Sequence, residues 1–314
     1  MASPAEVAAA QRLRVDSWTA EVVRALRAHG VRPILLKGPS IVRWLYSDDP
    51  GARTYVDSDL IVSPADTTRA WAVVAELGFQ QKEHPRLEAD EQHARVFRRA
   101  RDGARLDLHR GFHGLQSVPS ERAWRAIATG TATISVGGAD IEIPSAVVRT
   151  LLLILHLGPS DEAGSKAWED LARGLERVTA DQWRAAGQIA RELDAEHELA
   201  ERLRRVPGGA QLANELGLTQ RGSTYYRLIG ALQRREAPDD VFALAILSSM
   251  TDNRARLRYI HGKLWPDSDT LRRRSALARR GARGLAMAHA THITAAIARV
   301  PRALAAWRKY GSAS

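Results

Sequence analysis

The stretch GARTYVDSDLIVSP, residues 51–64, sets two aspartates, Asp57 and Asp59, one residue apart before the apolar run Leu60-Ile61-Val62. In a strand, residues i and i+2 point to the same face. The pair therefore projects together, with Ser58 opposite. Two like charges side by side repel, and a divalent cation between them relieves the repulsion. Oxygen donors alone suit magnesium, which keeps several waters and also takes substrate phosphates. The plainer reading is two solvated acids at a loop end.

A third acid strengthens the chemical reading. Asp107 lies in RLDLHR, flanked by Leu106 and Leu108 in strict alternation. A strand carrying it in the same sheet would add its carboxylate to the first two. Three carboxylates are the set that two-metal phosphoryl or nucleotidyl transfer needs. Two bridge the ions, and the third holds one ion and takes the proton of the attacking hydroxyl. The competing reading is an outward acid on an alternating strand.

Upstream, LLKGPS ends a strand at Lys37-Gly38 and opens a helix. A glycine there lets backbone N–H groups approach a phosphate, and a helix N-terminus favours negative charge. Lys37 could neutralise phosphate charge, and Ser40 could donate a hydrogen bond. The G-x-x-x-x-G-K-[ST] loop is absent, and a strand–KG–helix is also an ordinary tight turn. Arg53 could contact a phosphate or pair with Asp57.

Other residue groups carry less. His109, His113 and His156 are scattered and lack H-E-x-x-H spacing. His109 reads as a neighbour of the acids or a polar sheet residue. His289 and His292 take no role. Lys166 and Asp170, one helical turn apart, read as partners of each other. No G-x-S-x-G elbow is present.

The elements that must position these residues follow from periodicity. Val7, Leu13, Trp18, Val22, Val23 and Leu26 recur at helical spacing over residues 5–29, ending at His29-Gly30. RPILLKG is a short strand, and Pro39 suits a first helical position. DSDLIV is the second strand. Ser63-Pro64 caps a helix with Ala70, Val73, Val74 and Leu77 on its apolar face, stopped by Gly78. Asp102-Gly103 joins ARVFRRA to ARLDLHR as a hairpin, and Gly137-Gly138 joins a second hairpin. After Pro144 the pattern turns helical, beginning with a cap at Ser145 and continuing to about residue 265. This predicts an α/β domain over 1–144, a helical domain over 145–269 and a basic helical tail over 270–314.

Composition sets the outer bounds. The chain has 314 residues, 45% of them apolar, enough for a sizeable core. It has no cysteine, which excludes disulfides and thiolate metal sites and fits a reducing cytoplasm. Nothing reads as a secretory leader, and no run approaches the roughly 20 apolar residues of a membrane span. The expectation is a soluble, cytoplasmic protein. The net charge is +10, and no acid occurs from Thr270 onward. The 10 basic residues of that tail equal the whole excess, since the rest holds 36 basic and 36 acidic residues. Such a run suggests RNA or an anionic surface as partner. Within it Ile293, Ile297, Val300, Leu304 and Trp307 form one apolar stripe, read as a helix docked on the body with a kink at Pro301. The sharper reading of the stripe is contact with RNA or anionic lipid.

The order ILLKGPSIVRWLY, ARTYVDSDLIV, LGF and ARLDLH over about residues 33–110 resembles the uncharacterised nucleotidyltransferase family of the DNA polymerase β-like superfamily. HLGPSDEAGSKAWEDLARGLE resembles that family's His-rich turn followed by Trp and Asp on a helix. The resemblance covers most of residues 30–175. It implies an α+β fold, with a polymerase β-like domain of mixed sheet and flanking helices followed by an all-helical domain. It also implies magnesium, two ions of it, and a nucleoside triphosphate as co-substrate. Metal binding would fall on Asp57 and Asp59. Asp107 would complete the metal site and act as base. Lys37, Gly38 and Ser40 would form the phosphate-binding turn. Two departures stand out: Pro39 separates Gly38 from Ser40 where the superfamily has Gly-Gly or Gly-Ser, and Ser58 replaces an apolar residue. The expected activity is transfer of a nucleotidyl group to an unidentified small molecule, protein or tRNA end with release of pyrophosphate. The rival expectation is a non-catalytic nucleotide- or RNA-binding module.

Overall fold

A computed structural model describes residues 3–82, 94–112, 114–115, 118–158, 161–218, 224–233, 235–250 and 253–311. His113, among the histidines considered above, lies outside the described residues. The chain forms two compact units, Met1–Gln220 and Arg221–Ser314.

The first unit opens with α1 (Pro4–Ala28). Its start is a capping box: the Ser3 hydroxyl accepts from the Glu6 amide while the Glu6 carboxylate accepts from the Ser3 amide. Then come β1 (Ile34–Leu35), α2 (Pro39–Leu45), β2 (Ser58–Ile61) and α3 (Thr67–Glu76). A short 3-10 turn, Pro64–Asp66, precedes α3, and the Ser63 hydroxyl caps that turn. β3 (Phe79–Gln81), β4 (Ala94–Arg99) and β5 (Arg105–His109) complete one sheet in the order β1-β2-β5-β4-β3. The β2–β5 pair is parallel and the others antiparallel. Parallel neighbours need a crossover, and α3 lies in the one between β2 and β5. β4 and β5 meet at the Asp102-Gly103 turn, where Gly103 has a φ of +74°.

α4 (Ser120–Ala128) leads to the second hairpin, β6 (Ala132–Val136) and β7 (Ala139–Ile143). Gly137 and Gly138 both have positive φ, as a two-residue hairpin turn requires. α5 (Ala146–His156) starts where the Ser145 hydroxyl accepts from the Val148 amide. α6 (Lys166–Arg177), α7 (Ala180–Glu192), α8 (Glu196–Leu203) and α9 (Gly209–Glu215) finish the unit. One hydrophobic core runs from Val15 through the strands and α5 to Leu218. Residue 144 therefore marks a change of element type within a continuous core.

The sheet has two distinct faces. Ser58 lies on the α1 side, hydroxyl to hydroxyl with Thr19. Leu60, Leu106 and Leu108 are buried on that side. Alternation then puts Asp59, Asp107 and His109 together on the opposite face.

The second unit contains α10 (Thr224–Gln233), α11 (Val241–Ser249), α12 (Asn253–Leu264), α13 (Ser268–Arg274) and α14 (Gly281–Tyr310). A small core joins Leu228, Leu232, Val241 and Ala245 to Ala306. Pro301 lies inside α14, which continues to Tyr310. The tail stripe divides. Trp307 packs against the small core that holds Ala306, and Ala303 one turn before it is buried, while Ile297, Val300 and Leu304 are exposed. The small alanines let α14 approach its neighbours. Among the described residues, no helix is long and apolar enough to cross a membrane.

Candidate active site

The register of β2 against β5 builds the site. Asp59 pairs with Asp107 directly, and Ile61 with His109. Adjacent strands run about 4.8 Å apart, so directly paired side chains on one face are neighbours. One donor atom each from Asp59, Asp107 and His109 lies within 4.8 Å of the other two. His109 Nε2 is 3.1 Å from Asp59 Oδ1.

Lys37 arrives from the other side of β2. The Leu36 amide donates to the Asp59 carbonyl, extending the β1–β2 pairing past β1 itself. The next residue, Lys37, places Nζ 2.9 Å from Asp59 Oδ1. The turn depends on Gly38, whose φ of +62° and ψ of −114° only glycine adopts without strain. Pro39 then provides the first helical residue.

The electrostatics separate the acids. Burial pushes the Asp59 carboxyl up, but Lys37 and His109 outweigh it and hold it well below the usual carboxylate range. Burial, then the charges of Asp59 and Asp57, push Asp107 up to about 7. Asp57 is also raised, by burial first and Asp59 second, with Lys37 and Lys166 opposing. Asp57 stands just before β2 and outside the tight donor group, but near enough for its charge to act on Asp107. His109 is pulled below its ordinary value, chiefly by burial. His156, at the end of α5, is lowered by burial and then by Lys37.

Two expected residues have other occupations. Arg53 is buried and faces Asp170, not Asp57. Its Nε and Nη2 donate to the two Asp170 oxygens at 2.8 and 2.9 Å, and Nη1 donates to the Thr54 carbonyl. Tyr46 Oη adds a third bond to Asp170, at 2.9 Å. Asp170 thus belongs to Arg53 and Tyr46, which corrects its pairing with Lys166. A one-turn spacing on a helix cannot show which residue of another segment claims the acid. Ser40 is fully buried, and its hydroxyl donates to the Leu36 carbonyl at 2.9 Å. It pins the start of α2 rather than facing solvent.

The sequence contained a signal for His109 joining the acids: it is two residues beyond Asp107 in an alternating strand. Lys166, exposed at the start of α6, has a charge that reaches Asp57.

A buried and a half-buried carboxylate in register, with a lysine on the first and burial and the charge of its neighbours raising the second, form a charge pattern that a divalent cation relieves. The donor set fits one: hard oxygens from Asp59 and Asp107 and a nitrogen from His109. The sequence pattern of the uncharacterised nucleotidyltransferases matches residues 1–206, about two thirds of the chain. This chain belongs to the uncharacterised nucleotidyltransferase family. Its first unit is the family's mixed α+β fold, and the acid cluster lies within the matched residues. Among solved structures, an antigenic nucleotidyltransferase-like protein from Paracoccidioides brasiliensis is similar at 15% identity and a TM-score of 0.36. The match covers 67% of this chain and 94% of that one. No curated protein matches the chain.

Proposed function

We propose that the first unit transfers a nucleotidyl group from a nucleoside triphosphate to an acceptor hydroxyl or side chain and releases pyrophosphate, with a divalent cation. The observation that carries the reading is the pairing of Asp59 with Asp107 on one sheet face, with Lys37 bonded to Asp59. Asp59 and Asp107 would hold the cation, magnesium being the ion their oxygens suit, and Asp57 beside them would help to hold a second ion. The cation would supply charge for the phosphate oxygens and the leaving pyrophosphate.

The chain's own residues do the rest. Lys37 would turn from Asp59 to a phosphate oxygen; its side chain is one-fifth exposed. Gly38 lets the chain turn closely beneath that phosphate. Asp107 would also take the acceptor hydroxyl's proton. Arg53 acts indirectly: its bond to Asp170 fixes α6 against the segment that leads to Asp57. The basic tail is read as the contact for a polyanion such as RNA. Its support is the lack of any acid after Asp269 and the exposed Ile297, Val300 and Leu304.

The test incubates the protein with each α-labelled nucleoside triphosphate and magnesium, and separates protein, RNA and small molecules. The reading expects label in one fraction. Absence of transfer combined with absence of triphosphate binding would refute it. Binding without transfer would favour the non-catalytic module.

A further inference from the structure

We propose that His109 is a direct ligand of the cation held by Asp59 and Asp107, and that its nitrogen makes the site prefer a first-row transition ion to magnesium. The proposal rests on the reading of this cluster as a metal centre. It departs from the expected set of oxygen donors, because the tight donor group contains His109 and leaves Asp57 outside.

The geometry supports a ligand. Two donors at right angles on one ion, with bonds of about 2.0–2.1 Å, stand about 3.0 Å apart. His109 Nε2 and Asp59 Oδ1 are 3.1 Å apart. Asp107 brings a third donor atom within 4.8 Å of both. Three donors from two adjacent strands can then share one side of an ion and leave the other side for water and substrate.

The ring is also held in place. It is 3% exposed and stacks on Phe112 with 21° between planes and 6.3 Å between centroids.

The preference follows from ligand type. Magnesium binds oxygen and resists losing water. Imidazole nitrogen gains affinity along the first-row transition series, and manganese also accepts carboxylates and water. A two-carboxylate, one-imidazole set should therefore hold manganese more tightly than magnesium.

The rival role for His109 is to orient Asp59 through an N–H bond, without touching the ion. The experiment separates the two. Full-length protein carrying 15N-histidine is stripped of metal, loaded with manganese chloride without nucleotide, and examined by pulsed EPR. The expected result is 15N coupling to the bound manganese that disappears in His109→Gln. That variant should bind manganese about tenfold or more weakly and magnesium less than about twofold more weakly. Manganese bound without 15N coupling overturns the proposal, as does coupling that survives His109→Gln. Equal weakening of both ions also overturns it, because loss of an orienting bond on Asp59 would affect both. Should His109→Gln not fold, the wild type decides. Coupling must be present and magnesium must displace manganese only at about tenfold or greater excess. A wild type that binds neither ion sinks this proposal and the metal-dependent reading together. Clear 15N coupling in a protein that transfers no nucleotide supports His109 as ligand and refutes only the activity.

Discussion

Asp59 and Asp107 are side by side, yet their surroundings push them in opposite directions. Asp59 has Lys37 and His109 on one oxygen, and its charge is stabilised. Asp107 lies in the field of two other acids, and it binds its proton up to about pH 7. The folded chain therefore keeps a proton on Asp107 where the unfolded chain has lost it. Its contribution to stability is full below the ordinary carboxylate range and is lost as pH rises through about 7. Asp107→Asn mimics the protonated form. In metal-free protein the variant should be more stable than wild type, by about 2 kcal/mol at pH 8 after allowance for solvent screening. The gain should grow from about pH 4 to pH 7 and then level off, as urea melts at several pH values would show. Asp59 has the reverse sign: its contribution is present above the usual carboxylate range and is lost as pH falls through its lowered folded value. Asp59→Ala should leave Lys37 and His109 without their shared acceptor, and lower nucleotidyl transfer by roughly a thousandfold or more.

At the scale of elements, much of the site's frame was legible in the sequence. The Asp102-Gly103 turn, the Ser145 cap and the LLKG strand end are local signals, and the chain folds as they direct. Alternation placed Asp107 opposite two leucines, and the same alternation carries His109 to the Asp107 face. What could not be read was the register that sets Asp59 against Asp107. It joins strands nearly fifty residues apart, and no local pattern states it. The partner of Arg53 was hidden for the same reason, since Asp170 lies 117 residues away. That pair is an element-scale clamp between α6 and the loop before β2. Asp170→Asn or Arg53→Met alone should cost about 3–5 kcal/mol in urea unfolding, because each leaves a buried partner unsatisfied. The double variant Arg53→Met/Asp170→Leu should cost clearly less than the two singles summed. Gly38→Ala probes the β1–α2 turn. Its backbone conformation strains any other residue, and an added Cβ would lie 3.4 Å from the Tyr55 ring. The expected loss is about 1–3 kcal/mol, together with weaker triphosphate binding as Lys37 is displaced.

At the scale of the whole molecule, charge and chemistry are divided along the chain. The acid cluster and the family match belong to the first unit. The excess positive charge belongs to the last 45 residues, in the second. Full-length protein should bind RNA with an affinity that falls linearly on a logarithmic salt scale. A chain ending at Asp269 should bind more weakly, with a flatter slope. Anionic vesicles separate a lipid surface from RNA as the partner. Nucleotidyl transfer by the first unit is read straight from pyrophosphate release. Wild type, Asp59→Ala and Asp107→Asn are each incubated with α-labelled nucleoside triphosphates and, separately, magnesium and manganese, and both pyrophosphate and labelled product are counted. The wild type should release pyrophosphate and transfer label with a divalent cation, and each variant should lose both. Transfer that persists in Asp59→Ala and Asp107→Asn, or a wild type that neither binds nor cleaves any triphosphate with either metal, would contradict it.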